Sequence, residues 1–392
     1  MTDSAVTDVA GLNSWVEISR RAYLHNLAFF KRLLGPSSSV AAVVKANAYG
    51  HGMLLIAGLA RQGGAASFCV HSLEEALALR VAGFDEDILV MGHVPLARLD
   101  EAVAERLSCV LFNPESVERL AELASPEKPA RVHLKLETGT NRQGVDGEAL
   151  SWFLDFIRNH PQVSLEGVYT HFANIEDTTD HSYANRQQAL FNYMVERIQG
   201  AGFADVRVHA ACSAAALVVP GTRYDMVRLG ISQYGLWSSK ETFLSYKLQN
   251  ANDAQDEGDV LRPVLTWKTR ISQVKTVSAG SYVGYGCSYQ TTRDSRIAIL
   301  PIGYSDGYDR RLSNQAYVLV RGRRAPVRGR ICMNLTMIDV TDIPGAMLED
   351  EVVVLGRQGE QEITAEHLAG LIGTIAYEVV ARISPALARL PS

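Results

Sequence analysis

Residues 40–52 read VAAVVKANAYGHG: five apolar residues, a lysine, then a short turn of small residues closing on Gly50, His51 and Gly52. An uninterrupted apolar run that ends on an ionisable residue has the signature of a strand buried on both faces. The pattern returns at Ala66–Val70, Ile88–Met91, Cys109–Leu111, Val132–Leu136, Leu165–Thr170, Val206–His209 and Met226–Leu229. Between these runs lie segments such as Leu73–Ala82 and Ala184–Gln199, where apolar residues recur at helical spacing. Buried strands separated by helices imply a parallel sheet covered on both sides. About eight such units suit a (β/α)8 barrel better than an open sheet.

The strand ends carry the chemistry. Lys45, His71, Asn113, Lys135, His171, Ser213 and Arg228 each stand at or just beyond the end of an apolar run, with Arg142 a little past Lys135. In a barrel these positions line the catalytic mouth. After them, Ser238–Asp259 is polar and aperiodic and reads as an interdomain connection. The pattern then changes to alternation: TWKTRISQVKTV, SRIAILPIGYSDG, AYVLVRGRRAPVRG, LTMIDVTD and EVVVLGRQG, bounded by Gly, Pro and Asp turns. That describes an antiparallel β domain, with one short helix at Ala365–Ile372. The expected architecture is therefore α/β: a barrel over residues 14–240 and a mostly antiparallel β domain over residues 260–392. A strand around Trp15–Ile18 is placed with the second domain.

Composition narrows the function. The chain has 392 residues, a net charge of −5, 47% hydrophobic and 21% charged residues. An acidic balance without a basic face argues against nucleic acid as partner. No apolar stretch reaches the ~18 residues of a membrane helix, and the N-terminus lacks a signal-peptide pattern, so a cytoplasmic protein is expected. The five cysteines show no CxxC pairing and read as reduced packing residues. The ten histidines show no HxH or HExxH spacing, so no metal is expected.

Lys45 stands out on physical grounds. An ammonium at the edge of an apolar core is partly desolvated, which lowers its pKa and favours the neutral amine. A neutral amine is what Schiff-base formation with an aldehyde cofactor requires. A lysine merely snorkelling from a strand end is the other reading of the strand alone.

The segment KANAYGHG (45–52) resembles the cofactor-lysine signature of the alanine racemase family. The resemblance continues in order through THFANIED (170–177), HAACSAAAL (209–217), VRLGISQYGLW (227–237), VGYGCSY (283–289), LPIGYSDGY (300–308), GRICMN (329–334) and TIAYEV (374–379). It implies racemisation of a small amino acid, L-alanine to D-alanine, supplying D-alanine to wall peptides. The implied cofactor is pyridoxal 5′-phosphate, bonded to Lys45, with Tyr49, Ser213, the amides of Gly230 and Ile231, and Tyr377 around its phosphate. Arg228 would face the ring nitrogen. A guanidinium has only donors, so it would leave that nitrogen an acceptor, where decarboxylases of the fold type place a carboxylate. Lys45 and Tyr285 would be the two catalytic bases, and His171 would bridge Tyr285 and Arg228. Arg142 would clamp the substrate carboxylate, Lys135 could be carbamylated, and Met333 and Tyr304 would close the pocket. Tyr285 and Met333 would come from a second subunit, making the protein a homodimer with shared active sites.

The chain departs from the family pattern in places. Asn334 replaces a usual Asp, Cys212 a common Asn, and Thr140 and Asn141 make the TGTNR stretch polar. These motivate a serine or broader-specificity racemase as an alternative, beside a decarboxylase or a non-catalytic carrier of the same fold type.

Overall fold

The computed structural model describes residues 9–250 and 260–392. Chain order begins with β1 (Ser14–Ile18), which joins the C-terminal strands. The apolar runs follow as β2 (Ser39–Val43), β3 (Ser67–Val70), β4 (Asp87–Val90), β5 (Ser108–Leu111), β6 (Ala130–Lys135), β7 (Val163–Tyr169), β8 (Arg207–His209) and β9 (Met226–Leu229). All eight lie parallel in one sheet, in the order β8-β7-β6-β5-β4-β3-β2-β9. Backbone bonds from Asp225 N–H to Val208 O (3.1 Å) and from Arg228 N–H to Ala211 O (3.1 Å) carry the sheet from β8 round to β9. This is a nearly closed barrel. Every residue of β3, β5 and β9 is buried, which explains why they are mostly apolar, with Ser67, Ser108 and Arg228 the exceptions.

Helices alternate with these strands and start where their sequences say they should. Leu73–Val81 opens on a capping box between Ser72 and Glu75. Pro114–Leu123 is capped by the Asn113 side chain with proline in its first turn, a cap worth about 1 kcal/mol. Ser182–Gly200 buries Phe191, Met194 and Ile198 against the barrel unit's core.

The C-terminal strands are β10 (Leu265–Arg270), β11 (Gln273–Val277), β12 (Ser295–Leu300), β13 (Tyr317–Val320), β14 (Arg323–Pro326), β15 (Thr336–Asp339), β16 (Glu351–Gln358), β17 (Gln361–Ile363) and β18 (Ala388–Pro391). They form a sheet in the order β14-β13-β16-β10-β1-β18, with β17 on β16, and a smaller sheet β11-β12-β15. Pairing is antiparallel except between β1 and β18, which run parallel. β10 alternates buried and half-buried positions, with Leu265, Trp267 and Thr269 inside.

One expectation about organisation needs correction. Part of the supposed connection is a helix, Lys240–Gln249, capped by the Ser239 hydroxyl on Thr242 N–H (2.9 Å). Its apolar residues Phe243, Leu244 and Leu248 are exposed, so no one-sided stripe announced it. The remainder, residues 251–259, lies outside the described residues. The compact units also divide differently from the chain order. Among the described residues, one holds 24–46, 53–250 and 260–262; the other holds 9–23, 47–52 and 263–392. The peptide just after Lys45 thus groups with the β unit, because its close contacts are with Val380 and Arg389.

Candidate active site

In the barrel unit, Lys45 follows directly on β2 and the buried Val44. Burial lowers the pKa of its amine, the Arg142 charge adds to that, and Glu75 opposes it. Lys135, at the end of β6, is brought down to about 8 by burial and then by Arg142 and Arg228. His171 is pushed to about 3 by burial and by the cations around it, Arg228 first. Lys45, Lys135, Arg142, His171 and Arg228 therefore form one electrostatic cluster, rich in positive charge.

Arg228, on β9, is the rigid member. It is 5% exposed. Its Nη2 donates to Thr170 O (2.8 Å) and Ala210 O (2.9 Å), and its Nη1 meets His209 Nδ1 at 2.7 Å. The guanidinium also lies over the Tyr169 ring, 4.7 Å from its centroid. The imidazole bonded to Arg228 in the structure is thus that of His209. The physical reason is placement: His209 ends β8, beside β9, and its ring stacks on Tyr169 at 4.8 Å. His209 Nε2 in turn meets His133 Nδ1 at 2.9 Å. Because Arg228 can only donate, His209 accepts at Nδ1 and gives its own proton to His133. Burial pulls both imidazoles well below their ordinary pKa, His133 to about 3. Gly167 makes room for them: a Cβ there would sit 2.4 Å from His133 Nδ1.

Ser213, Gly230 and Ile231 are all buried. The Ser213 Oγ accepts from the N–H groups of Gly230 (3.0 Å) and Ser232 (3.3 Å). Among the described residues, the buried Ser232 Oγ has no hydrogen-bond partner. Backbone N–H groups and hydroxyls thus gather at the end of β9, the kind of groups that bind anions. Cys212, next to Ser213, contacts Glu176 Oε1 at 3.8 Å, and burial pushes its thiol up to about 11, a packing role.

Arg142 sits on an exposed loop that Glu137 organises. Burial would raise the Glu137 carboxyl, but bonds from the backbone N–H groups of Asn141, Gly139, Thr140 and Arg142 outweigh it and hold the pKa low. Thr140 Oγ1 donates to His171 O (2.5 Å). Glu137, His133 and His209 were not singled out from sequence; an Arg with a carboxylate five residues before it, and histidines inside apolar strands, were the available signals.

Residues Ala46–Tyr49 make a left-handed helical turn, with φ of +52° to +54° at four successive non-glycine positions. Four such residues cost on the order of 4–8 kcal/mol. Within the β unit, Gly50 must be glycine: φ is +84° and a Cβ would lie 2.0 Å from Val380 O. Arg389 donates Nε (3.1 Å) and Nη2 (2.9 Å) to Gly50 O. The Tyr49 and Tyr377 rings lie 5.9 Å apart.

Tyr285 lies in a short 3-10 turn between Gly284 (φ +76°) and Gly286 (φ +71°), and is 73% exposed. Those glycines let the turn press on Met337 and Arg330. Tyr304 N–H donates to Cys332 O (3.1 Å), and Gly303 packs against the Cys332–Met333 backbone. Met333 is exposed, and Asn334 Nδ2 donates to Ser305 Oγ (2.8 Å). Tyr304 and Met333 are thus neighbours in the β unit.

Among the described residues, no helix is long and apolar enough to cross a membrane, and no group of three or more His, Cys, Asp or Glu side chains could hold a metal ion.

The chain matches the family models "Alanine racemase, N-terminal domain" over residues 18–238 and "Alanine racemase, C-terminal domain" over residues 264–391. It is 40% identical over 381 residues to the alanine racemase of Leptospira interrogans, covering 96% of this chain and 95% of that one. It is 38% identical over 395 residues to the alanine racemase of Desulfosudis oleivorans, with 96% of each covered. Among solved structures, alanine racemase from Bacillus anthracis with bound L-Ala-P has a TM-score of 0.88 at 33% identity, covering 97% of this chain and 95% of that one. The enzyme from Streptomyces lavendulae has a TM-score of 0.89 at 32% identity, with 97% of each covered.

Proposed function

The chain belongs to the alanine racemase family, and from that premise we propose that Lys45 and Tyr285 exchange the α-proton of alanine, each working on one face of pyridoxal 5′-phosphate. The reaction is an isomerisation: alanine is racemised. The observation that carries the residue assignment is Lys45 itself, a half-buried amine at a barrel strand end whose pKa burial and Arg142 lower.

The residues present fit the cofactor. Ser213, Gly230, Ile231 and the unpartnered Ser232 hydroxyl offer a cluster of buried hydrogen-bonding groups suited to a phosphate. By the resemblance, Tyr49 and Tyr377 add two phenols to it. When bound, pyridoxal phosphate supplies an aldehyde carbon for the lysine amine and a conjugated ring that draws electrons from the substrate α-carbon. By the resemblance, Arg228 would face the ring nitrogen and donate to it. It cannot surrender a proton at neutral pH, so the nitrogen stays an acceptor and the electron pull is moderate. A decarboxylase would need a carboxylate at this position, and the partners of Arg228 are an imidazole and two carbonyls.

Arg142 holds the substrate carboxylate in a bidentate grip. Lys135, with its pKa near 8, has enough neutral amine at neutral pH to add carbon dioxide. The nitrogen bonds the carbon, one proton leaves, and the resulting carbamate braces Arg142. Tyr285, Met333 and Tyr304 are contributed by a second copy of the chain. Supporting a dimer, the β unit exposes Tyr282, Tyr285, Tyr304, Met333 and Leu335 together with Ile375, a set of large side chains unusual for a solvated surface. The cytoplasm is the proposed location. Two of the polar departures that suggested serine are committed internally: Thr140 to His171 O and Asn334 to Ser305.

The test is incubation of purified protein and pyridoxal phosphate with L-alanine in deuterated water, followed by optical rotation and deuterium at Cα. L-serine runs in parallel, and carbon dioxide release is recorded. Racemic, deuterated alanine is the expected product; exchange without inversion, or released carbon dioxide, overturns the reading.

A further inference from the structure

Lys45 opens a turn of disfavoured handedness, and something must hold its first peptide. Ala46, immediately after the lysine, has φ +53° and is solvent-exposed, yet its N–H donates to Glu75 Oε1 at 2.6 Å. The other carboxylate oxygen of Glu75 accepts from His71 N–H (2.7 Å) and Ser72 N–H (3.3 Å), at the start of Leu73–Val81. One side chain thus ties the end of β2 to the end of β3. A carboxylate has two acceptor oxygens and no donors, which is what three converging N–H groups require. Helix capping alone would use one of them.

We propose that Glu75 is a positioning residue for Lys45, its carboxylate clamping the Ala46 amide so that the lysine leaves β2 in the one direction the cofactor needs. The inference rests on Lys45 being the cofactor lysine. Two features support it beyond the hydrogen bonds. The strain at Ala46–Tyr49 persists only if the surroundings over-determine it, and within the barrel unit Glu75 anchors the first peptide of that turn. Glu75 is also the largest influence opposing the fall of the Lys45 pKa, ahead of Cys69 and against Arg142 and Arg228. Its removal therefore loosens the amine and lowers its pKa together.

The test compares three proteins freed of cofactor: wild type, Glu75→Gln and Ser72→Ala. Glutamine has one acceptor oxygen, so it can hold Ala46 or the His71–Ser72 amides but not both. Ser72→Ala removes the helix cap and leaves the Ala46 contact intact. Binding of pyridoxal phosphate is titrated by absorbance, and melting temperature is recorded in parallel. Glu75→Gln is expected to weaken binding about tenfold or more, the worth of a charged hydrogen bond. Ser72→Ala should melt earlier but bind within about twofold of wild type. Equal weakening in both variants would reduce Glu75 to a helix cap and overturn the proposal, as would wild-type binding in Glu75→Gln. Should Glu75→Gln fail to fold, hydrogen exchange of the Ala46 amide in the wild-type protein decides. Strong protection of that exposed amide supports the clamp, and rapid exchange overturns it. A wild type that binds no pyridoxal phosphate, or a Lys45→Ala protein that binds it equally well, overturns the assignment of Lys45 instead.

Discussion

Arg228 and Tyr285 were picked out by the same resemblance, yet their surroundings are opposites. Arg228 is buried on a barrel strand, bonded to two carbonyls and an imidazole, with a ring beneath it. Tyr285 stands 73% exposed on a turn bracketed by two positive-φ glycines. The barrel residues have their chemistry set by burial and mutual charge within one chain. In the β unit Tyr285, Tyr304 and Met333 are exposed, so any tuning of Tyr285 has to be brought to it. A preorganised half and an unfinished half are what a shared active site needs.

The sharpest way to break that contrast is Lys45→Ala. Racemisation should fall by at least about 10⁴-fold, since one substitution removes both the cofactor bond and a base. Deuterium exchange at Cα reads it, and retained exchange would move the chemistry out of the barrel. Tyr285→Phe should cost about 10²–10⁴-fold in inversion, while the remaining base still exchanges the proton on its own face. Its folding stability should stay within about 0.5 kcal/mol of wild type, because the side chain is exposed. Equal loss of exchange and inversion from both enantiomers would contradict the two-face assignment.

Acid should then separate the two regions. In the barrel unit His133 and His171 are held near pH 3, and His209 is also well below its ordinary range. Their folded pKa values are depressed, so the unfolded chain binds protons that the native state refuses. Stability is full above about pH 6.5 and falls as pH drops from there toward 4, by about 1.4 kcal/mol per unit for each imidazole. Urea midpoints at pH 7, 6 and 5 check this; a flat profile would mean the imidazoles are not buried neutral. The smallest effect is expected at Asn334→Asp. Asn334 is an exposed side chain bonded to Ser305. A charge there should change the alanine-to-serine ratio of kcat/KM by less than about tenfold.

The barrel was legible because strands buried on both faces cannot avoid continuous apolar runs. The β10 alternation announced the second sheet for the complementary reason: one face in, one face out. What stayed hidden has no periodic signature. Lys240–Gln249 is a helix without an apolar stripe, and β18 carries Arg389 and Pro391, neither typical of a strand. Candidate site residues could be named from the sequence, but not who holds them. His209 beside Arg228, Glu137 under the Arg142 loop and Glu75 on Ala46 depend on which strand ends become neighbours, and a handedness reversal after Lys45 cannot be inferred from alanines and an asparagine.

The pairing of β1 with β10 and β18 has a consequence for the order of assembly. Ser14 bonds to Lys268 across a sequence separation of 254. β1 thus leaves a ribosome before the barrel strands but has no sheet to join until β10 has been made, and no second partner until β18. The barrel unit, contained within Leu24–Arg262, owes nothing to that delay. Synthesis therefore favours a barrel that collapses early, trailing an apolar SWVEI segment that must be kept from pairing elsewhere until the chain is finished.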